Sequence, residues 1–286
     1  MTTLRYGYDT NGLFRHRLDD ALTMIAEAGY DGVAITPDIC HLDPYAPDIE
    51  AQTAKTARRL RELGLSCVVQ TGAFYVIDAA QKHAPTLISP DPERRAVRMD
   101  FYDRCMRMAQ TLGAECFTFW SGVRDPDVSE ADARAWLLEG TRTVVEKCRM
   151  HGLAPAMEPE PEMMLATVGH YRTLAAQVPG LRLALDLGHC TVTQDVEAQD
   201  AVRTFGNDVA VVHFEDMQRG VHLHLFPGEG DMDLPACLRA LRDVRYRGLT
   251  VVELSADAHR APKMVRDARE WLRAHDEQVS TTRAAA

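Results

Sequence analysis

The sequence is short of the features that mark exported, membrane-bound or nucleic-acid-binding chains. Its seven cysteines (Cys40, Cys67, Cys105, Cys116, Cys148, Cys190 and Cys237) are odd in number, scattered and nowhere spaced Cys-x-x-Cys, which argues against a disulfide framework and against a zinc knuckle. No segment approaches the ~20 apolar residues of a membrane span, and Met1 to Asp9 lacks a basic stretch followed by an apolar one. Positive charge is scarce: 32 Lys and Arg stand against 42 Asp and Glu, a net charge of −10, whereas a phosphate backbone asks for a clustered excess of cations. No apolar run is followed by Gly-x-Gly-x-x-Gly or by Gly-x-x-x-x-Gly-Lys-Ser/Thr, so neither nucleotide loop is expected. The expectation is a reduced, cytoplasmic protein with no nucleic acid and no membrane among its partners.

What is present is a repeated alternation of apolar runs and amphipathic stretches. With 286 residues, 46% of them apolar, the chain is long enough for one large domain. Leu4-Arg5-Tyr6-Gly7-Tyr8-Asp9 reads as a strand, and Leu18, Ala21, Leu22, Ile25 and Ala26 stripe a helix that Gly29 ends. The unit recurs, with strands at 32–36, 65–70, 116–120, 154–157, 181–185, 209–212 and 248–252. Helices are expected at 49–63, 100–112, 130–150, 171–178, 198–205, 234–244 and 264–272, the fourth of the eight opened by Ser129 as N-cap. Eight units in roughly 250 residues without a break in composition point to a single (β/α)8 TIM barrel over 1–275, rather than to an open doubly wound sheet. Residues 276–286 read as a disordered tail. The long polar and aromatic connection at 72–94, with Pro85, Pro90 and Pro92, has the length of a lid.

Four apolar strands each end on a lone ionisable group: Glu158 after Ala-Pro-Ala-Met, Asp186 after Leu-Ala-Leu, His213 after Ala-Val-Val and Glu253 after Thr-Val-Val. Singly, each carboxylate reads as a strand-end salt bridge or turn residue, and His213 as an interior histidine. Together, at the carboxyl ends of consecutive units, they become neighbours on half of one barrel rim, where active sites are built. Burying three carboxylates side by side costs several kcal/mol apiece unless a cation pairs with them, and a divalent ion does so. Three carboxylates and one imidazole favour Mn²⁺ or Mg²⁺, with Co²⁺ and Zn²⁺ left open. Glu160 and Glu162 lie beyond Pro159, which leaves Glu158 as the strand end. Trp120 and Tyr8, at the ends of the fourth and first strands, are expected either to line a pocket or to pack the rim. Phe74 and Tyr75 are candidates for its cover, Cys190 is expected to be inert, and His16, His41 and His83 are read as solvent or helix residues.

These residues support a recognition. Glu158-Pro159, Asp186-x-x-His189, His213-x-x-Asp216, Pro227-Gly228-Glu229-Gly230-Asp231 and Tyr246-x-Gly248 leading into Glu253 together resemble the xylose-isomerase-like TIM barrels, and within them the sugar phosphate isomerase/epimerase group. The resemblance implies one divalent metal on Glu158, Asp186, His213 and Glu253. It also implies an isomerase or epimerase acting on a keto-sugar or cyclitol through an enediolate, with Glu158 and Glu253 as the catalytic acid-base pair. His189 is then a substrate ligand, the alternative being a cap for the following helix. Arg219 resembles the substrate-clamping arginine of some epimerases, the alternative being a solvated loop charge. In His222-Leu223-His224, His224 is the one placed near the substrate. This loop is richer in histidine than that of the plain ketose epimerases, which keeps a metal-dependent lyase open: a dehydratase of inosose or dehydroshikimate type, or a cleaver of oxidised glycosides. The nucleases of the same superfamily carry further histidines on early strands that this chain lacks. A non-catalytic sugar-binding barrel is the reading of another class, and a homo-oligomer is a family expectation.

Overall fold

Each uninterrupted apolar run becomes a strand covered on both faces. The computed structural model describes residues 3–72 and 74–284. In chain order it contains β1 (Arg5–Asp9), α1 (Leu18–Glu27), β2 (Gly32–Ile35), α2 (Ile49–Leu63), β3 (Ser66–Gln70), α3 (Pro92–Leu112), β4 (Cys116–Phe119), α4 (Glu130–Met150), β5 (Ala154–Met157) and α5 (Val168–Ala175). There follow β6 (Arg182–Asp186), α6 (Leu187–Thr193), α7 (Ala198–Phe205), β7 (Val209–Phe214), the short pair β8 (Asp216–Gln218) and β9 (Val221–Leu225), α8 (Leu234–Asp243), β10 (Leu249–Val252) and α9 (Ala261–Ala284). Strands β1 to β7 and β10 pair in parallel and close into an eight-stranded barrel, the (β/α)8 fold that the repeat predicts. Strands β8 and β9 form a separate antiparallel hairpin on the rim.

Side-chain alternation along the strands decides what the barrel encloses. Ala34, Val68, Cys116, Ala156, Ala184, Val211, Leu249 and Val251 form the cluster at its centre. Their neighbours, such as Tyr6, Tyr8, Val33, Leu185, Val212 and Phe214, pack outward under the helices. One step of two residues toward the carboxyl ends, the same inward parity reaches Thr36, Gln70, Thr118, Glu158, Asp186, His213 and Glu253, and on β1 it reaches Asp9. All eight are buried. The polar layer above the apolar plug is therefore a consequence of strand period.

The long connection after β3 is shorter than its composition suggests, because α3 begins at Pro92 with Asp91 as N-cap, accepting from Glu93 N at 2.8 Å. Proline at the first helical turn loses no hydrogen bond. Helix α9 runs on to Ala284, into the stretch that the sequence leaves as a tail. Among the described residues no helix is long and apolar enough to cross a membrane.

Candidate functional site

The four strand-end residues converge. Ligand atoms of Glu158, Asp186, His213 and Glu253 all lie within 4.8 Å of one another. Register explains part of this, since β6 pairs Asp186 with His213 and β7 pairs His213 with Val251, two residues before Glu253. His213 Nδ1 lies 2.7 Å from Glu158 Oε1 and 3.5 Å from Glu253 Oε2. Trp120 Nε1 donates to Glu158 Oε2 at 2.6 Å. Asn11 Nδ2 donates to Glu253 Oε1 at 2.7 Å, and Gln70 Nε2 approaches Oε2 at 3.5 Å. Asp9, wholly buried, accepts from Asn11 N at 2.7 Å and from the Thr36 hydroxyl at 2.9 Å.

Asp186 is at once a strand end and a helix cap: its Oδ1 accepts from His189 N at 2.9 Å and opens α6. The cap is Asp186 rather than His189, and it leaves Oδ2 buried without a hydrogen bond, 3.2 Å from His189 Nε2. Gly188 is required here. A Cβ on it would lie 2.6 Å from Glu215 Oε1, the oxygen that accepts from Gly188 N at 3.1 Å.

Burial sets the charge states. For Asp186, desolvation pushes the carboxyl up, but the nearby His189, His224 and His213 outweigh it and hold the group at about 2. Glu158 is likewise raised by burial and lowered on balance by His213. Burial with no full counter-charge raises Asp9 and Glu160 to about 8 each. His213 opposes its own desolvation through the Glu158 charge and is raised well above the usual imidazole range, and His189, facing Asp186 and Glu160, reaches about 9. The acid layer thus recruits imidazolium as counter-charge. Three buried carboxylates with one imidazole, the orphaned Asp186 Oδ2, and a His213 Nε2 that is buried and lacks a partner fit a divalent cation of oxygen-preferring type. His189, His222 and His224 make a further group with nitrogens close enough to share an ion.

The layer floors a cavity of about 650 Å³ to which Glu158, Asp186, His189, Trp120, Glu253 and Gln70 all contribute. His224 lines it, as expected, and so does His222, whose Nε2 lies 3.2 Å from His189 Nε2. Phe74 and Tyr75 also line it, in keeping with a cover.

Two expected substrate contacts are not at the cavity. Tyr8 has outward parity and packs edge-on against Tyr30, ring centroids 5.7 Å apart, which makes it core rather than lining. Arg219 sits at the turn of the β8–β9 hairpin, about half exposed, with its guanidinium on Glu197 at 2.9 Å. His41 and His83, which the sequence presents as solvent or helix residues, are in the cavity wall. His83 folds back so that its Nδ1 meets Gly72 O at 2.8 Å and its ring stands between Phe74 and Trp120, at 4.6 and 4.8 Å. His41 is buried, its Nε2 on His16 O at 2.8 Å. Asp9, Asn11, Thr36, Gln70 and Glu215 belong to the site without any motif that marks them. For Asp9, Thr36 and Gln70 the parity of the strands is a signal that finds them.

The family model of the xylose isomerase-like TIM barrel matches residues 22–275. The fructoselysine 3-epimerase of Escherichia coli O157:H7 is 24% identical over 280 residues, covering 95% of this chain and 98% of that protein. Among solved structures, an L-ribulose 3-epimerase superposes with a TM-score of 0.80 at 17% identity, over 99% of this chain and 98% of its own. The 3-keto-D-glucoside 4-epimerase of E. coli superposes at 0.76 and 19% identity, over 95% and 100%. At such identity the two structures speak for the fold.

Proposed function

The chain belongs to the xylose isomerase-like TIM barrel family, and from that premise we propose that it is an enzyme of the sugar isomerase and epimerase kind that moves a proton on a keto-sugar or cyclitol through an enediolate. The observation that carries this reading is the convergence of Glu158, Asp186, His213 and Glu253 within 4.8 Å in one buried layer that opens into a cavity. Held by these four, a divalent ion (Mn²⁺ or Mg²⁺, with Co²⁺ and Zn²⁺ as competitors) would polarise a ketone and acidify the adjacent C–H.

The chain's own groups do the rest. Glu158 and Glu253 are the acid-base pair, each fixed by a neutral donor, Trp120 on Glu158 and Asn11 on Glu253. Such donors orient a carboxylate without neutralising it. One of the pair takes the carbon-bound proton, and return from the other gives the epimer, or from the same carboxylate to the neighbouring carbon the isomer. His189, held through Nδ1 on Pro159 O at 2.8 Å, turns Nε2 toward the cavity to hold a substrate hydroxyl. Trp120 and His224 complete the contact surface.

A second reading has its own observation. Three imidazoles, of His189, His222 and His224, crowd the cavity with ring centroids 4.8 to 6.4 Å apart, and His189, raised to about 9, holds a proton that it would give to a departing β-oxygen, turning the same chemistry into elimination.

Proton NMR in D₂O on Mn²⁺- or Mg²⁺-loaded protein, with ketoses, inososes and 3-keto-glycosides as the panel and Asp186→Ala as the blank, tests both. Metal-dependent deuterium uptake that disappears in the blank is expected. Retention of the leaving group marks isomerisation, and its loss marks the lyase. Absence of exchange across the panel with metal bound would sink the enediolate reading.

A further inference from the structure

We propose that the substrate carries an apolar group of about the size of an aromatic ring on its sugar or cyclitol, and that the cavity wall facing the acid layer is the subsite for that group. This rests on reading the acid layer as the reacting centre.

The cavity is too large for a free sugar. Its volume is about 650 Å³. A ketohexose, with a dozen non-hydrogen atoms, fills less than half of it. The two sides also differ in chemistry. The acids come from β5, β6, β7 and β10. The opposite side is built by the segments after β1, β2 and β3, which contribute Phe14, Ile39, Phe74 and Tyr75, while the β8–β9 hairpin, packed on α6, adds Leu223 from the acid side.

These residues are not buried against one another. Phe14 is 41% exposed, Ile39 67%, Tyr75 52% and Leu223 46%, and they are four of the nine large exposed hydrophobics among the described residues. Nearly half of such surface gathered at one cavity marks a place where apolar contact is made on binding. Tyr75 is displayed there at φ 54°, a left-handed conformation that an aromatic residue rarely adopts and that tends to persist where function holds it. Among the described residues that line this side, Asp38 and Lys82 are the carboxylate and the ammonium, beside the imidazoles of His41 and His83, and the Lys82 ammonium already lies 4.3 Å from the centre of the Phe74 ring. The wall therefore suits an uncharged ring rather than a charged appendage. A free polyhydroxy sugar would leave this wall wet, whereas an attached ring would dehydrate it.

The test is calorimetric titration of the full, Mn²⁺-loaded chain with phenyl and methyl β-glucosides, neither of which can react. The phenyl compound is expected to bind at least about ten-fold more tightly. The ratio should collapse toward one in the double variant Ile39→Asp, Tyr75→Ser. Equal affinities in the unmodified protein, or no binding of the phenyl glucoside into the tens of millimolar, overturn the proposal. So does a dimer, seen in sedimentation, that Ile39→Asp splits while the phenyl preference persists, since the wall would then be a contact between copies. A phenyl preference without deuterium exchange on any keto substrate supports the subsite and instead counts against the enediolate chemistry, so the two readings fail separately.

Discussion

At the scale of the residue, Trp120 is the sharpest test of how the acid layer is held. Its indole N–H donates to Glu158 Oε2 at 2.6 Å in a buried setting, and a hydrogen bond to a charged group is worth about 1.5–3 kcal/mol. Trp120→Phe keeps the ring and removes the donor, leaving a buried carboxylate oxygen free to turn. We expect Mn²⁺ affinity and turnover each to fall by about 10- to 100-fold, as for other groups that orient a ligand, read by metal titration and steady-state kinetics. Unchanged affinity and rate would reduce Trp120 to packing. The same strands show what the sequence makes legible. Glu158, Asp186, His213 and Glu253 stand out because each is a lone ionisable group closing an apolar run. Asp9, Thr36 and Gln70 share their inward parity but look like ordinary polar strand ends, and only counting in steps of two from the small residues at the barrel centre separates them from Tyr8. His83 and His41 escape such counting, because they reach the cavity through irregular chain whose path no period fixes.

At the scale of the element, the β8–β9 hairpin carries His222 and His224 and is anchored by a buried side chain, Asp216. Asp216 accepts from Gly228 N at 2.8 Å and from Met232 N at 3.2 Å, tying the hairpin to the segment that follows it. Gly230 is part of that fit, since a Cβ there would meet Asp216 Oδ1 and Met217 O. Asp216→Ala strands two backbone donors and should cost about 2–4 kcal/mol, lowering Tm by roughly 5–10 °C. It should raise KM more than it lowers kcat, and an unchanged melting curve would refute the anchoring role. In the sequence this hairpin lay hidden inside what reads as a loop, although Val-His-Leu-His-Leu alternates and Gly220, at φ 73°, supplies the left-handed turn residue. The connection after β3 makes a pH prediction. Burial lowers His83 to about 4, so its docked, neutral form contributes stability that is fully present above the unfolded value of about 6.5 and is lost as pH falls toward 4. Tryptophan fluorescence should therefore show a step near pH 4, from protonation beside Trp120, that is missing in His83→Gln. A step near 6.5 would mean that the ring is solvated.

At the scale of the whole molecule, eight short strands aim one polar layer at a common point, and the fold must carry the repulsion that results. Without a metal, the layer is balanced by protons. Asp9 and Glu160 keep theirs to about pH 8, and His189 keeps its own to about 9. Each of these folded values lies above the unfolded one, so each contributes stability that is present below the unfolded pKa and is lost as pH rises through the folded value. The metal-free protein should accordingly lose stability between about pH 5 and 9, the reverse of the His83 trend at acid pH. A divalent ion offers the carboxylates a counter-charge that does not titrate, and ligands that must shed protons to bind it make its affinity rise with pH. Saturation at a hundred times Kd adds about 2.7 kcal/mol, or roughly 5–10 °C in Tm for a chain of this size. The increment should widen from pH 6 to pH 8, because the metal-free curve falls while the loaded one holds. Thermal melts with Mn²⁺ and with a chelator across this range measure it, with Asp186→Ala as the control in which the two curves should coincide. An increment that is the same at both pH values would mean that protons and metal do not compete for the layer, and the assignment of its acids as one coupled ion site would fail.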